Sequence, residues 1–128
     1  MLPLTPNGLQ FYLYLPATDM RKSFDGLCGI ITQGMTRDPL SGDVYVFLNR
    51  RRDRIKLLVW ERGGFWIFYK RLEQGSFQLP PNAVQHDTIM LPYAELMMLI
   101  EGIDLRSVKR RKRYEISEIS QKSTGLDL

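Results

Sequence analysis

Residues 43–72, DVYVFLNRRRDRIKLLVWERGGFWIFYKRL, contain three strand-like runs separated by two short connections. In each run every second residue belongs to one set: Val44, Val46 and Leu48 in the first, Ile55, Leu57 and Val59 in the second, and Phe65, Ile67 and Tyr69 in the third. Alternation with a period of two is typical of a β-strand with one buried face. Gly63-Gly64 predicts a two-residue hairpin turn, because both glycines accept positive φ. Neither connection is long enough to contain a helix. This stretch therefore predicts an antiparallel meander and sets the frame for the rest of the chain.

Upstream of the meander, the sequence predicts one more strand and a helix. Leu9 to Leu15 alternate before Pro16, which favours a strand. Residues 18–35 then predict a helix whose N-cap is Thr18 or Asp19, with Ser23 as the competing choice. Five side chains of this helix have the spacing of one buried face: Phe24, Leu27, Cys28, Ile31 and Met35.

Downstream, the pattern weakens and then becomes helical again. Residues 77–79 can add a short edge strand, and residues 80–90 are expected to be mostly loop. Pro92 suits the first position of a second helix, and Gly102 is placed to end it. We therefore expect a single α+β domain over residues 1–105. A four- or five-stranded antiparallel sheet carries the first helix, with the second as a further candidate, on one face, and a basic tail follows at 106–128.

Composition excludes several classes of protein. Cys28 is the single cysteine, which rules out an intrachain disulfide, and together with the single His86 it cannot assemble a zinc site. The N-terminus has no secretory signal pattern, and no run approaches the ~20 apolar residues of a membrane span. The sequence predicts a cytoplasmic protein without membrane attachment, cofactor or metal. The net charge of +4 is moderate, so its distribution carries more information than its size.

Basic residues cluster in the first connection of the meander and in the tail, and a few more lie near the predicted first helix and the last strand. Guanidinium groups pair with phosphates, so these clusters suggest a nucleic-acid surface. The candidate DNA-binding residues are Arg21, Lys22, Arg50, Arg51, Arg52, Arg54, Lys56, Lys70, Arg71, Lys109, Arg110, Arg111, Lys112 and Arg113. A solvated turn and a solubilising tail are the alternatives. Trp60, Trp66, Phe68 and Tyr69 can either stack on exposed bases or form the sheet core.

Signals for catalysis are weak. The sequence contains no G-x-S-x-G nucleophile motif, no phosphate-binding P-loop and no G-x-G-x-x-G dinucleotide-binding motif. Asp43, Asp53 and Glu61 lie near predicted strand ends and are the candidate carboxylates for a metal-dependent nuclease, but neighbouring arginines favour local ion pairs instead. We expect no enzymatic activity and assign no catalytic residue.

Four blocks of the chain resemble a known family. TDMRKSFDGL (18–27), DPLSGDVYVFLNRRRDRIKLLVW (38–60), GFWIFYKRLEQGSFQLP (64–80) and ELMMLIEGIDL (95–105) are similar to the TnpB-type accessory protein of the sixty-six family of bacterial insertion sequences, the product of the element's second open reading frame. The resemblance spans roughly residues 9–113. It implies a non-catalytic role in transposition beside a separate transposase, and it assigns no functional residues.

Two hypotheses follow. In the first, the protein is an accessory factor that binds DNA, at the element ends, through the basic hairpin and tail. In the second, it is an assembly factor that docks on the transposase of the same element through aromatic residues of the sheet or the Met97-Met98 helix, and its charges serve solubility. The sequence leaves open the oligomeric state and any DNA sequence preference.

Overall fold

The computed structural model describes residues 8–81, 83 and 86–102, which form one mixed sheet with helical segments on both faces. The tail predicted at 106–128 lies outside the described residues. In chain order, the elements are β1 (Phe11–Tyr14), α1 (Phe24–Gly29) continued by a π-helical turn (Ile30–Gly34), β2 (Val44–Leu48), β3 (Arg54–Glu61), β4 (Gly64–Arg71), β5 (Thr88–Leu91) and α2 (Tyr93–Glu101). No helix among the described residues is long and apolar enough to cross a membrane.

The sheet has the strand order β4-β3-β2-β1-β5. Strands β2, β3 and β4 are antiparallel neighbours, which confirms the predicted meander. The expectation of a fully antiparallel sheet is wrong at one position, because β1 pairs parallel to β2, with Phe11 opposite Val44. Two adjacent parallel strands need a long crossover connection, and the α1 segment between β1 and β2 provides it.

The fifth strand is not the one predicted. Residues 88–91 pair antiparallel with β1, whereas residues 77–79 do not join the sheet. Phe77 is still buried, with 1% of its surface exposed, because its backbone N–H donates to the carbonyl of Arg52 and holds the ring in the core. A buried aromatic residue in a loop has the same local sequence pattern as one in a strand. The two cases differ only in whether the backbone pairs with a neighbouring strand.

The two helices pack on opposite faces of the sheet, so the prediction of a single helical layer is corrected. Leu27 and Ile31 of the α1 segment pack in one core with Tyr45 and Phe47. On the other face, the core includes two α2 side chains and alternating residues from all five strands and the loop after β4; these are Leu96, Leu99, Phe11, Leu13, Val44, Val46, Leu48, Ile55, Leu57, Val59, Phe68, Phe77 and Leu91. The fold is therefore three-layered, and both faces of the central strands are buried.

Helix boundaries differ from the prediction mainly at the start of α1. The helix begins at Phe24 with Ser23 at the N-cap position, the competing choice, and residues 18–22 form a loop. Phe24 is 44% exposed rather than buried. Helix α2 ends as predicted at Gly102, whose φ of 86° is readily adopted by glycine, but Pro92 occupies the N-cap rather than the first helical position.

The hairpin between β3 and β4 turns one residue earlier than predicted. Glu61 pairs with Gly64, so the two loop residues are Arg62 and Gly63, with φ values of 52° and 85°. Positive φ at both positions is the signature of a type I′ turn, the geometry that matches the twist of the flanking strands. Arg62 therefore occupies a conformation that Asn or Gly adopts more readily.

Candidate nucleic-acid interface

The basic connection between β2 and β3 is a tight loop organised by Asn49. Its side-chain oxygen accepts hydrogen bonds from the backbone N–H groups of Asp53 and Arg54, both at 3.0 Å, and its amide donates to Asp53 Oδ1 at 2.7 Å. Its backbone carbonyl accepts from the N–H of Arg52 at 3.1 Å, which closes a β-turn. Asn is favoured at the first position of such turns. The turn leaves Arg50 and Arg51 exposed.

The segment that follows β4 also makes hydrogen bonds to this loop. The N–H of Leu72 donates to the carbonyl of Asp53 at 2.8 Å, and the N–H of Phe77 donates to the carbonyl of Arg52 at 2.6 Å. These bonds hold Arg52 at a φ of 60°, in the left-handed region that non-glycine residues seldom adopt. The loop at 49–53 is therefore held both by the Asn49 hydrogen bonds within it and by backbone hydrogen bonds from the segment after β4.

The loop before α1 lies against the same end of the sheet. The N–H of Thr18 donates to the carbonyl of Leu48 at 2.8 Å. The Nζ of Lys56, which is only 7% exposed, donates to the carbonyls of Met20 and Lys22, both at 2.8 Å. Lys56 lies on β3, so it joins this loop to the sheet.

An open cleft lies between the two loops. Its volume is ≈ 720 Å³, and its lining residues are Ala17, Thr18, Asp19, Met20, Arg21, Asn49, Arg50, Arg51, Asp53, Arg54 and Tyr69. Four arginines against two aspartates give the lining a net charge of +2. Tyr69 is 51% exposed at the edge of this cleft, and Arg54 Nη1 donates to its hydroxyl at 3.3 Å. The cleft therefore combines positive charge with an accessible aromatic ring.

The two aspartates are held in their ionised form. Arg21 donates to Asp19 through its backbone N–H and its guanidinium, with the closest contact at 2.7 Å, and this lowers the pKa of Asp19 from 3.8 to about 2. The hydrogen bond from Asn49 is the main cause that lowers the pKa of Asp53, with smaller contributions from its backbone N–H and from the charges of Arg54 and Arg51. Arg50, Arg51 and Arg54 form no ion pair within the part of the chain that the structure describes.

Thr18 also lines the cleft. Its Oγ1 is buried and has no hydrogen-bond partner among the described residues. Neither Thr18 nor Asn49 was identified from the sequence as part of a site. An Asn immediately before a basic run at a strand end would have been the available signal for Asn49, whereas nothing local distinguishes Thr18.

The structure brings together only part of the predicted DNA-binding set. Arg21, Arg50, Arg51 and Arg54 line the cleft, and Arg71 pairs with Arg54 across the β3–β4 ladder. Four predicted residues are placed elsewhere. Lys22 lines a separate depression along α1, Arg52 is exposed but outside the lining, Lys56 is buried beneath the loop, and Lys70 Nζ donates to the carbonyl of Ile100 in α2 at 2.8 Å. The tail residues 109–113 lie outside the described residues.

The carboxylates considered for a nuclease do not converge. Asp53 precedes β3 and Glu61 ends it, so roughly 26 Å of extended strand separates the two residues. Glu61 accepts a hydrogen bond from Trp66 Nε1 at 2.9 Å, and Asp43 contacts Ser41. Across residues 8–81, 83 and 86–102, no group of three or more His, Cys, Asp or Glu side chains could hold a metal ion.

Comparison with known proteins agrees with the resemblance seen in the sequence. Two curated relatives come from Sinorhizobium fredii (strain NBRC 101917 / NGR234). Uncharacterized protein y4jC is 31% identical over 105 residues, 82% of this chain and 88% of the relative. Uncharacterized protein y4hO is 33% identical over 107 residues, 83% of this chain and 90% of the relative. No solved structure matches the chain.

The model of one protein family, described as IS66 Orf2 like protein, matches residues 9–110, which include every element of the fold. This is an accessory-protein family of insertion-sequence transposition and is not known as catalytic. A match over most of the chain, together with relatives that align over most of their own length, shows that the chain belongs to the IS66 Orf2-like family.

Proposed function

We propose that the protein is a DNA-binding accessory factor of transposition whose contact surface is the arginine-lined cleft. The observation that carries the proposal is the convergence of Arg21, Arg50, Arg51 and Arg54, which come from two loops distant in sequence. Guanidinium groups pair with phosphate oxygens in bidentate geometry, and a rigid loop loses little conformational entropy when it binds. Arg71 lies beside Arg54 in the ladder, but its guanidinium is ion-paired with Glu73 at 3.1 Å, so we leave it out of the contact set.

Not every predicted residue belongs to this surface. The Nζ of Lys56 donates hydrogen bonds to two backbone carbonyls. The Nζ of Lys70 donates to a carbonyl of α2, on the face of the sheet opposite α1. In the proposal, Lys56 positions the loop that carries Arg21, and Lys70 has no part in DNA binding. The tail residues Lys109 to Arg113 would add affinity without sequence preference, as expected of a run of like charges.

Fluorescence anisotropy with duplex DNA of the element ends, measured at several salt concentrations, tests this proposal. For B-DNA, log K falls by about 0.9 per log unit of salt for each phosphate neutralised. The double variant Arg50→Ala/Arg51→Ala removes two charges from the cleft and is expected to weaken binding and to lower the slope by as much as about 1.8.

A matched control removes two charges elsewhere. In Arg62→Ala/Lys70→Ala, one change lies at the opposite end of β3, roughly 23 Å from Arg54, and the other on the opposite face. For Arg62 that separation exceeds the Debye length of about 8 Å at physiological ionic strength, and for Lys70 the sheet lies between its side chain and the cleft, so this variant is expected to lose less affinity than Arg50→Ala/Arg51→Ala. Equal losses in both double variants would mean that net charge alone drives binding. Flat salt dependence of the wild type would exclude the proposed surface.

The second candidate function is docking on the transposase, and the exposed apolar side chains favour it. Trp66 is 48% exposed and stacks on Phe68, with ring centroids 5.8 Å apart and planes within 10°. Met98 of α2 is 39% exposed. Exposed aromatic and Met side chains are enriched at protein interfaces. Co-purification with the transposase from nuclease-treated, high-salt lysate tests this function. Association that Trp66→Ala abolishes and Tyr69→Ala preserves would support it, and no association under these conditions would exclude it.

A further inference from the structure

Tyr69 is an exposed aromatic residue whose ring and hydroxyl are both held by neighbouring side chains of the sheet. It lies near the end of β4 on the α1 face of the sheet, opposite Lys56 in the ladder. The Nζ of Lys56 lies 4.8 Å from the ring centroid, and Arg54 donates to the hydroxyl. The ring is thus fixed by contacts to the sheet while 51% of the residue remains exposed. A ring held this way loses little entropy when a flat ligand stacks on it.

Arg54 and Tyr69 also separate two depressions. On one side is the cleft of ≈ 720 Å³, and on the other is a depression of ≈ 400 Å³ that Arg54 and Tyr69 line together with Arg71 and Glu73. These volumes fall in the range of about 300–1,000 Å³ typical of small-molecule sites. A DNA duplex keeps its base faces inside the stack and cannot offer them to a tyrosine. An unpaired nucleotide can present its base and both flanking phosphates.

We infer that the cleft takes an unpaired DNA strand, with one base stacked on Tyr69 and the flanking phosphates on Arg50, Arg51 and Arg54. This inference rests on the proposed DNA-binding function and specifies the form of DNA that the site prefers. Aromatic stacking beside a positively charged groove is the general arrangement by which proteins bind single strands with little sequence preference. The competing interpretation is that Tyr69 only supports Lys56 and Arg54.

Three DNA probes of equal length distinguish these interpretations: a thymidine single strand, a duplex, and a fully abasic single strand that keeps the phosphates and lacks bases. Wild-type protein is expected to bind the thymidine strand more tightly than the abasic strand. Tyr69→Ala is expected to weaken binding of the thymidine strand by about 5- to 150-fold, the loss of one stacked base. Its affinity for the abasic strand and for the duplex should change little.

Two variants complete the design. Tyr69→Phe keeps the ring and loses the hydroxyl, so it should retain most of the affinity for the thymidine strand. Trp66→Ala removes an equally exposed aromatic ring from the opposite face of β4 and should leave all three affinities unchanged. Circular dichroism checks that each variant is folded, and the abasic comparison uses wild-type protein and does not depend on any variant.

Each outcome decides between the claims. Equal wild-type affinity for the thymidine and abasic strands would overturn the stacking inference while DNA binding stands. Equal losses in Tyr69→Phe and Tyr69→Ala would overturn it too, since the hydroxyl contact to Arg54 would then be the working part. Failure of the wild type to bind any probe would instead overturn the proposed function and the inference with it.

Discussion

Lys56 offers the sharpest test of how the cleft is held together. Its side chain is buried in a sheet strand, and its ammonium group donates to the carbonyls of Met20 and Lys22, both at 2.8 Å. Lys56→Met keeps the length and the apolar stem and removes both hydrogen bonds. The loop carrying Arg21 then keeps the bond between the Thr18 N–H and the Leu48 carbonyl as its backbone tie to the sheet, among the described hydrogen bonds.

The expected size of the effect follows from these contacts. A hydrogen bond to a charged group contributes about 1.5–3 kcal/mol, and the low end applies here because Lys22 is exposed and water can replace part of each bond. The contact with the Tyr69 ring adds about 0.5–1 kcal/mol. Relief from burying an ammonium group offsets part of the loss. We expect a net decrease of about 2–3 kcal/mol in the free energy of unfolding.

Urea denaturation followed by circular dichroism measures this decrease. For a small domain with an m-value of about 1–3 kcal/mol/M, the midpoint should fall by about 0.7–3 M. Lys70→Met is the matched control, since Lys70 is exposed and makes one bond to a helix carbonyl, and it should lose less than about 1 kcal/mol. A Lys56→Met protein within about 0.5 kcal/mol of wild type, or a control that loses as much, would refute the reasoning.

Three further predictions concern single positions. Thr18→Val removes a buried hydroxyl that has no partner among the described residues and should raise the free energy of unfolding by about 1 kcal/mol, whereas Thr18→Ser should not. A lower free energy of unfolding in the Val variant would show that the hydroxyl is hydrogen-bonded in solution. Arg62→Asn should stabilise the type I′ turn by about 0.5–1 kcal/mol in urea denaturation, and Gly63→Ala, at a φ of 85°, should destabilise it; unchanged midpoints would contradict that turn geometry. The pKa of the Asp19 carboxyl, measured by NMR, should be about 2 and should return toward 3.8 in Arg21→Gln. Because the folded-state pKa is lowered, the contribution of Asp19 to stability is present above about pH 4 and is lost as the pH falls toward 2.

Local patterns predicted the elements well where the period was clear. The three strands β2, β3 and β4 follow from their alternation, and the end of α2 follows from Gly102. The start of α1 was misplaced because Asp19 serves as a turn residue: it accepts the Arg21 N–H and keeps residues 18–22 out of the helix. A side chain that caps a helix and one that stabilises a turn look alike in the sequence.

The candidate site was predictable as a set of arginines and unpredictable as an arrangement. Arg50 and Arg51 were expected at a strand connection, and they lie there. Arg21 reaches the same cleft because β1 runs parallel to β2, which places the loop after β1 at the end of the sheet where β2 also ends. That parallel pairing has no signature in the local sequence.

The sequence by itself determined the family, the meander and the type of chemistry available, since alternation, turn residues and charge are local properties of the chain. The tertiary structure alone decided which basic residues share a surface. Strand order placed Arg21 beside the loop between β2 and β3, and the buried Lys56 donates to the carbonyls of Met20 and Lys22 and so ties the loop that carries Arg21 to the sheet. Backbone pairing across distant segments decides such neighbours, because a charged side chain carries no local record of the carbonyl or the ring it will meet.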